Sequence, residues 1–183
     1  LAISGILIGF NWGLYIWAVN AGHVVESSLG YFINPLLNVL LGVVFLRERL
    51  GRMQWVSVAI ATLGVAWLTL RFGQLPWIAL ALAASFALYG FIRKLASVES
   101  IPGLGVEGAY LFLPVIAWLA WSELHEQGGF FVSQSNGGYG ALMSLMLVVS
   151  GALTALPLVG FAYAVRRVPL SVVGLLQYIA PTM

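Results

Sequence analysis

The sequence of 183 residues has no cysteine, no aspartate and only two histidines. A chain without cysteine forms no disulfides and offers no thiolate metal ligands, and His23 and His125 do not have the spacing of a metal site. We therefore expect no metal or other cofactor. The motifs HExxH and GxSxG and a glycine-rich nucleotide loop with its lysine are missing too. These absences argue against an enzyme.

Charge is also scarce, since charged residues make up 8% of the chain against roughly a quarter in soluble domains. Eight Lys and Arg against six acidic residues are too few for a nucleic-acid surface, so nucleic acid is not an expected partner. What the chain does contain is apolar: 61% of its residues are hydrophobic and the mean hydropathy is +1.00. Such a composition indicates a protein whose solvent is the lipid bilayer.

The apolar residues form seven segments separated by short polar breaks. The segments lie near 1–20, 27–46, 53–70, 75–92, 106–122, 139–165 and 169–183. Most approach the ~20 residues that cross ~30 Å of hydrocarbon as a helix. The sequence thus predicts an all-α, polytopic transmembrane bundle of seven helices. Because the first segment lacks a basic flank and the last is short, we expect these seven, partly truncated, to belong to a longer protein.

The basic residues are distributed unevenly over the breaks. Alternate breaks hold seven of them, whereas the opposite side holds only Arg71. The seven are Arg47, Arg49, Arg52, Arg93, Lys94, Arg166 and Arg167. The positive-inside rule places these breaks in the cytoplasm, where the residues act as orientation signals and meet anionic lipid. On the other side, the Gly, Ser, Gln and Asn residues of 122–140 predict an irregular connection.

The chain also resembles itself. With a shift of 146 residues, 1–37 aligns with 147–183 without a gap at nine identical positions, and Pro35 falls on Pro181. The aligned segments are five spans apart, and an odd shift means that the two copies cross in opposite directions. The pattern predicts an inverted repeat of five helices, hence ten in the complete protein. Residues 1–71 would hold the last three helices of the first repeat, and 72–183 the first four of the second, truncated in the fourth.

Proline breaks at matching positions of two repeats point to a substrate site near the midplane of the membrane. Amide and aromatic residues flank both prolines, and a further pair lies mid-span in the first segment; these groups suit a small polar organic substrate. The candidate site residues are Asn11, Trp12, Tyr31, Asn34, Pro35, Gln177, Tyr178 and Pro181. Two plainer interpretations stay open: Pro35 as a kink that shapes helix packing, and Asn11 as a hydrogen bond between helices.

Two carboxylates, Glu26 and Glu107, lie near predicted helix starts. An anion at a helix N-terminus is mildly stabilising, so capping is the default interpretation of both. The alternative is proton coupling, which would require each carboxylate to be buried.

The residues also resemble a known family. Residues 11–55, "NWGLYIWAVNAGHVVESSLGYFINPLLNVLLGVVFLRERLGRMQW", are similar to the RarD branch of the EamA group in the drug/metabolite transporter superfamily, and 85–94 and 175–183 continue the likeness. The resemblance implies ten helices in two EamA-type repeats and a permease of the bacterial inner membrane, and the inverted duplication favours alternating access. "LRER" at 46–49 departs from the "LGER" common in relatives, which affects the local loop geometry. A structural or accessory membrane protein without transport activity is the alternative.

Overall fold

The computed structural model describes residues 1–125, 130 and 140–182, and these form helices and no strands. The helices are α1 (Ala2–Asn20), α2 (Val24–Val44), α3 (Arg52–Phe72), α4 (Trp77–Leu95), α5 (Ser100–Leu124), α6 (Gly140–Arg167), α7 (Leu170–Gln177) and α8 (Ile179–Thr182). The first six are long and apolar enough to cross a membrane. The all-α polytopic bundle predicted from hydropathy is confirmed. Most of the predicted irregular connection, at 126–129 and 131–139, lies outside the described residues.

Helix α4 lies at the centre of the bundle and packs against α1, α2, α6 and α7. Its small residues Ala79, Ala83 and Ala87 are buried at successive turns. They let neighbouring backbones approach closely: a Cβ added to Gly30 of α2 would lie 3.3 Å from the carbonyl oxygen of Ala79. Helix α3 buries none of its residues. The packed centre is thus built from α1, α2 and α4, with α7 lying against α2.

The fifth helix begins at Ser100, six residues before the predicted start. Pro102 made the preceding stretch resemble a break, but it lies in the first turn, where its missing N–H costs no helical hydrogen bond. The prediction that Glu107 begins this helix is therefore wrong, because Glu107 lies about two turns inside it.

The two prolines paired by the repeat have different effects on their helices. The last apolar segment is divided at Tyr178 into α7 and α8, since Pro181 has no N–H to donate to the carbonyl four residues earlier. Helix α2, in contrast, continues without interruption through Pro35. The predicted break at Pro35 is wrong: the proline lies inside a continuous helix.

One basic residue predicted to mark a cytoplasmic loop is in the protein interior. Arg93 is fully buried near the end of α4, and its guanidinium reaches α5, where Nη2 donates to the Ser100 carbonyl at 3.0 Å. A buried guanidinium needs an anionic or polar partner, and Glu107 lies next to it. The prediction that Arg93 meets anionic lipid is therefore wrong, whereas its role as an orientation signal stays a prediction.

Candidate functional site

A cavity of about 420 Å³ opens among the helices of the packed centre. The residues that line it are Asn11, Trp12, Tyr15, Ser27, Gly30, Tyr31, Asn34, Leu82, Phe86, Pro157, Gln177, Ala180 and Pro181. They come from α1, α2, α4, α6, α7 and α8. None of these side chains carries a charge, so the wall that the described residues provide is aromatic, aliphatic and amide in character.

Six of the eight candidate site residues line this cavity, and two do not. The six are Asn11, Trp12, Tyr31, Asn34, Gln177 and Pro181. Pro35 is fully buried where α7 crosses α2, and a Cβ added to Gly174 would lie 2.7 Å from its carbonyl oxygen. Tyr178 borders a different pocket, and its hydroxyl donates to the Phe32 carbonyl at 2.9 Å.

Three amides join α2 to α7 at the cavity. Oε1 of Gln177 accepts hydrogen bonds from Nδ2 of Asn34 at 3.2 Å and from Nδ2 of Asn38 at 2.7 Å. The carbonyl oxygens of the two asparagine side chains are buried and have no hydrogen-bond partner among the described residues. Asn34 lines the cavity, so this unpartnered acceptor belongs to a residue that borders the space for a bound molecule.

Asn38 was missed by the sequence analysis, although it is fully buried. A signal was present, because an amide four residues after Asn34 lies on the same face of the helix. That spacing in an apolar segment would have placed Asn38 beside the proline site.

Asn11 has a structural role that does not depend on a ligand. Its Nδ2 donates to the Leu82 carbonyl at 2.8 Å and to Oγ of Ser85 at 2.9 Å. Both partners belong to α4, so this amide ties α1 to the central helix while its side chain also borders the cavity. The interhelical hydrogen bond left open by the sequence is therefore present.

Aromatic rings form much of the wall nearby. The rings of Tyr15 and Tyr31 meet edge to face with their centroids 6.1 Å apart, and Trp12 and Phe86 also line the cavity. Rings of this kind give a large apolar contact area at little cost in conformational entropy.

Glu26 lies in the first turn of α2 and is buried. Its Oε1 accepts a hydrogen bond from the backbone N–H of Ile78 at 2.8 Å, and Nδ1 of His23 lies 4.0 Å from Oε2. The carboxylate thus caps the N-terminus of α4, a neighbouring helix, where the helix dipole favours a negative charge.

Glu107 belongs to a buried cluster with Arg93, Ser4 and Tyr89, which we call the Arg93–Glu107 cluster. Nη1 of Arg93 lies 3.5 Å from Oε1 of Glu107, to which Ser4 donates at 2.6 Å, while the Tyr89 hydroxyl donates to Oε2 at 3.3 Å. Nε and Nη1 of Arg93 make no hydrogen bond to any described residue. The cluster joins α1, α4 and α5 outside the lining of the cavity.

Glu48, in the connection between α2 and α3, was not singled out from sequence. Its carboxylate accepts hydrogen bonds from the backbone N–H groups of Leu170 and Ser171 at 2.7 and 2.8 Å and from the Ser171 hydroxyl at 2.7 Å. Nζ of Lys94 lies 3.6 Å away and donates to the Val165 and Val168 carbonyls. We call this arrangement the Glu48–Lys94 clamp, since it holds the end of α6 and the start of α7 against the rest of the bundle.

The clamp has a clear electrostatic consequence. Burial raises the pKa of the Glu48 carboxyl, but the hydrogen bonds from Ser171 and Leu170 and the charge of Lys94 lower it by more, so the net pKa lies below its ordinary value. Glu48 is therefore ionised at neutral pH.

Comparison with known proteins gives a consistent result. The EamA-like transporter family matches residues 1–70. The chain is 47% identical to Protein RarD of Streptomyces exfoliatus over 180 residues, 98% of this chain and 55% of that protein. It is 48% identical to Protein RarD of Salmonella typhi over an alignment of 184 positions, which covers 100% of this chain and 60% of that protein.

An uncharacterized transporter of Pseudomonas aeruginosa is 46% identical over 183 residues, 100% of this chain and 59% of that protein. The chain therefore spans between 55% and 60% of the length of these three relatives. No solved structure matches the chain.

Proposed function

The chain belongs, over the residues it covers, to the RarD-like branch of the EamA-like transporter family, and on this premise we propose that it forms part of a bacterial inner-membrane permease. The substrate would be a small polar organic metabolite or drug. The observation that carries the proposal is the cavity lined by Asn34 and Gln177 at the centre of the bundle.

The chemistry of the cavity fits such a substrate. Its volume of about 420 Å³ falls within the ~300–1,000 Å³ typical of small-molecule sites. Aromatic rings offer apolar contact, and the unpartnered oxygen of Asn34 offers an acceptor for an N–H or O–H group. Because none of the described residues that line the cavity is charged, a substrate without net charge is favoured.

Two features favour alternating access as the mechanism. Tyr178 donates its hydroxyl to the carbonyl of Phe32, and these two positions are separated by 146 residues, the shift of the internal repeat. A two-fold axis that passes between α2 and α7 would bring equivalent positions together in this way. Both helices also supply cavity residues, so a tilt of one half against the other would change access to the cavity.

Coupling to protons is assigned in this proposal to Glu26 and Glu107, since both are buried and both bind donors on other helices. We expect Glu26→Gln or Glu107→Gln to abolish the response of transport to an imposed proton gradient. A normal response in both variants would exclude the two residues from coupling.

The central test uses the full-length protein in sealed membrane vesicles, with uptake of candidate polar metabolites measured. Asn34→Ala and Gln177→Ala should each reduce flux about tenfold, the equivalent of ~1.4 kcal/mol, without lowering membrane abundance. Asn20→Ala is the matched control, because Asn20 is an exposed amide at the end of α1 whose side chain donates to the Ile16 carbonyl within its own helix.

Two results would contradict the proposal. Unchanged flux in both cavity variants would remove the site assignment. No flux of any candidate by the unaltered protein, at normal abundance, would instead favour the accessory membrane protein without transport activity.

A further inference from the structure

A second pocket, of about 380 Å³, lies at the basic end of the bundle between the start of α5 and the end of α6. The residues that line it are Glu99, Ser100, Ile101, Tyr163, Arg166 and Arg167. The pocket shares no residue with the proposed substrate cavity, so it requires its own explanation.

The N-terminus of α5 contributes polar groups to this pocket. The helix begins at Ser100, and no side chain caps its first N–H groups, which carry the positive end of the helix dipole. Ser100 lines the pocket, and its hydroxyl is buried and has no hydrogen-bond partner among the described residues. A buried hydroxyl without a partner is costly unless a ligand or water satisfies it.

Two arginines from the end of α6 face the same space. Nη1 of Arg166 donates to the Val98 carbonyl at 2.6 Å, which fixes its guanidinium beside the start of α5. Arg167 lies over the ring of Tyr163 at 3.5 Å. The carboxylate of Glu99 also lines the pocket and opposes an anion, but the two arginines and the helix dipole outweigh its single negative charge.

We propose that this pocket binds the phosphate of an anionic phospholipid headgroup. Guanidinium groups pair with phosphate oxygens through several N–H groups at once, and basic pockets between helix ends are a recognised setting for such lipids. The walls also suit a lipid rather than a free ion, since the side chains of Ile101 and Tyr163 are 74% and 53% exposed. They provide an apolar surface beside the charged groups, where acyl chains would lie.

The bound lipid would bridge α5 and α6 at the end of the bundle that holds the Glu48–Lys94 clamp. The inference rests on the membrane location of the chain and not on its transport activity.

The test is native mass spectrometry of the purified full-length protein, titrated with phosphatidylglycerol or with phosphatidylcholine. We expect a preference for phosphatidylglycerol that falls roughly 30-fold in Arg166→Gln/Arg167→Gln, at about 1 kcal/mol per basic residue. The matched control is Arg49→Gln/Arg52→Gln, which removes two exposed arginines from the same end and should leave the affinity within about twofold. Ser100→Ala should weaken binding a few-fold.

A second variant, for which we expect tighter instead of weaker lipid binding, keeps the proposal testable if the double variant fails to fold. Glu99→Gln removes the opposing charge and should tighten phosphatidylglycerol binding about fivefold. No tightening in Glu99→Gln would contradict the proposal.

The remaining outcomes distinguish a lipid headgroup from a free phosphate ion as the ligand of the pocket. Equal affinity for the two lipids, or equal losses in the site and control variants, would overturn the proposal. Displacement of the lipid by millimolar inorganic phosphate would also overturn it, in favour of a soluble anion.

Discussion

Two acid–base pairs lie at the basic end of this bundle, and they are built differently. In the Arg93–Glu107 cluster the side chains are 0% and 1% exposed, and the guanidinium has two nitrogens without a hydrogen bond to any described residue. In the Glu48–Lys94 clamp the exposures are 12% and 19%, and the carboxylate accepts three hydrogen bonds from the start of α7.

The difference shows what each pair depends on. The sealed pair depends on mutual neutralisation, because neither charge has water as an alternative partner. The open pair depends on hydrogen bonds to helix ends, since the charges are partly solvated. Removal of one partner should therefore be far more damaging in the cluster than in the clamp.

The largest expected effect comes from Arg93→Met. Removing the guanidinium leaves Glu107 buried without its counter-charge, which should lower the free energy of unfolding by about 3–5 kcal/mol. Unfolding of the purified full-length protein in detergent measures this. The control is Lys94→Met at the next position, where we expect about 1–2 kcal/mol; equal losses in the two variants would contradict the comparison.

The next largest losses of stability are expected from two glycine substitutions, which test the space around the Arg93 guanidinium and the Glu48 carboxylate. A Cβ at Gly103 would overlap the enclosed Arg93 guanidinium, so Gly103→Ala should lower the free energy of unfolding by about 2–3 kcal/mol. A Cβ at Gly42 would meet Oε2 of Glu48 at 2.5 Å and the Ser171 amide nitrogen at 3.0 Å.

The Glu48 carboxylate is the end of a flexible side chain and is 12% exposed, whereas the Arg93 guanidinium is fully enclosed. Gly42→Ala should therefore cost only about 1 kcal/mol. Thermal unfolding of the two variants decides the order, and a larger loss in Gly42→Ala would show that the clamp is the more rigid region.

A smaller effect is expected for Glu48→Gln, about 1–2 kcal/mol at neutral pH. Because the folded-state pKa of Glu48 is lowered, its contribution is present above the unfolded-state pKa and is lost as the pH falls through the folded-state pKa. The difference in stability between the unaltered protein and the variant should therefore begin to shrink as the pH falls below the ordinary Glu pKa of about 4.3. Unfolding measured from pH 7 to pH 3 tests this, and a constant difference over that range would rule out an ionised clamp.

The smallest effect is a gain in stability. Arg47, next to Glu48, has a φ of 54°, in the left-handed region that costs a residue with a Cβ about 1 kcal/mol. Arg47→Gly should raise the free energy of unfolding by about that amount, whereas the neighbouring Arg49→Gly should not. Denaturant unfolding of both variants provides the measurement, and equal changes would show that backbone strain at Arg47 is absent.

Sequence predicted the existence of the helices well, because crossing a membrane demands an apolar run of a certain length and hydropathy measures that directly. It predicted their ends less well. Pro102 breaks a helix interior but is tolerated in a first turn, and Pro35 lies in a continuous helix while Pro181 follows an interruption. Proline therefore affects these helices differently, because the packing around it decides whether the lost hydrogen bond ends the helix.

The candidate site was only partly predictable for a similar reason. Asn34 and Gln177 stood out as amides in apolar segments, but their contact joins residues 143 positions apart and is a property of the fold. Arg93 and Lys94 are adjacent and chemically alike, and only the direction in which each leaves the helix separates a buried partner of Glu107 from a partly exposed partner of Glu48.

The attachment of Glu48 to the start of α7 also bears on biosynthesis. The carboxylate precedes Leu170 by 122 residues, so a ribosome delivers it to the membrane long before the helix that it caps. When α7 is synthesised, the acceptor for its first backbone N–H groups is already in the membrane protein. The connection between α2 and α3 would then act as a template for the docking of α7.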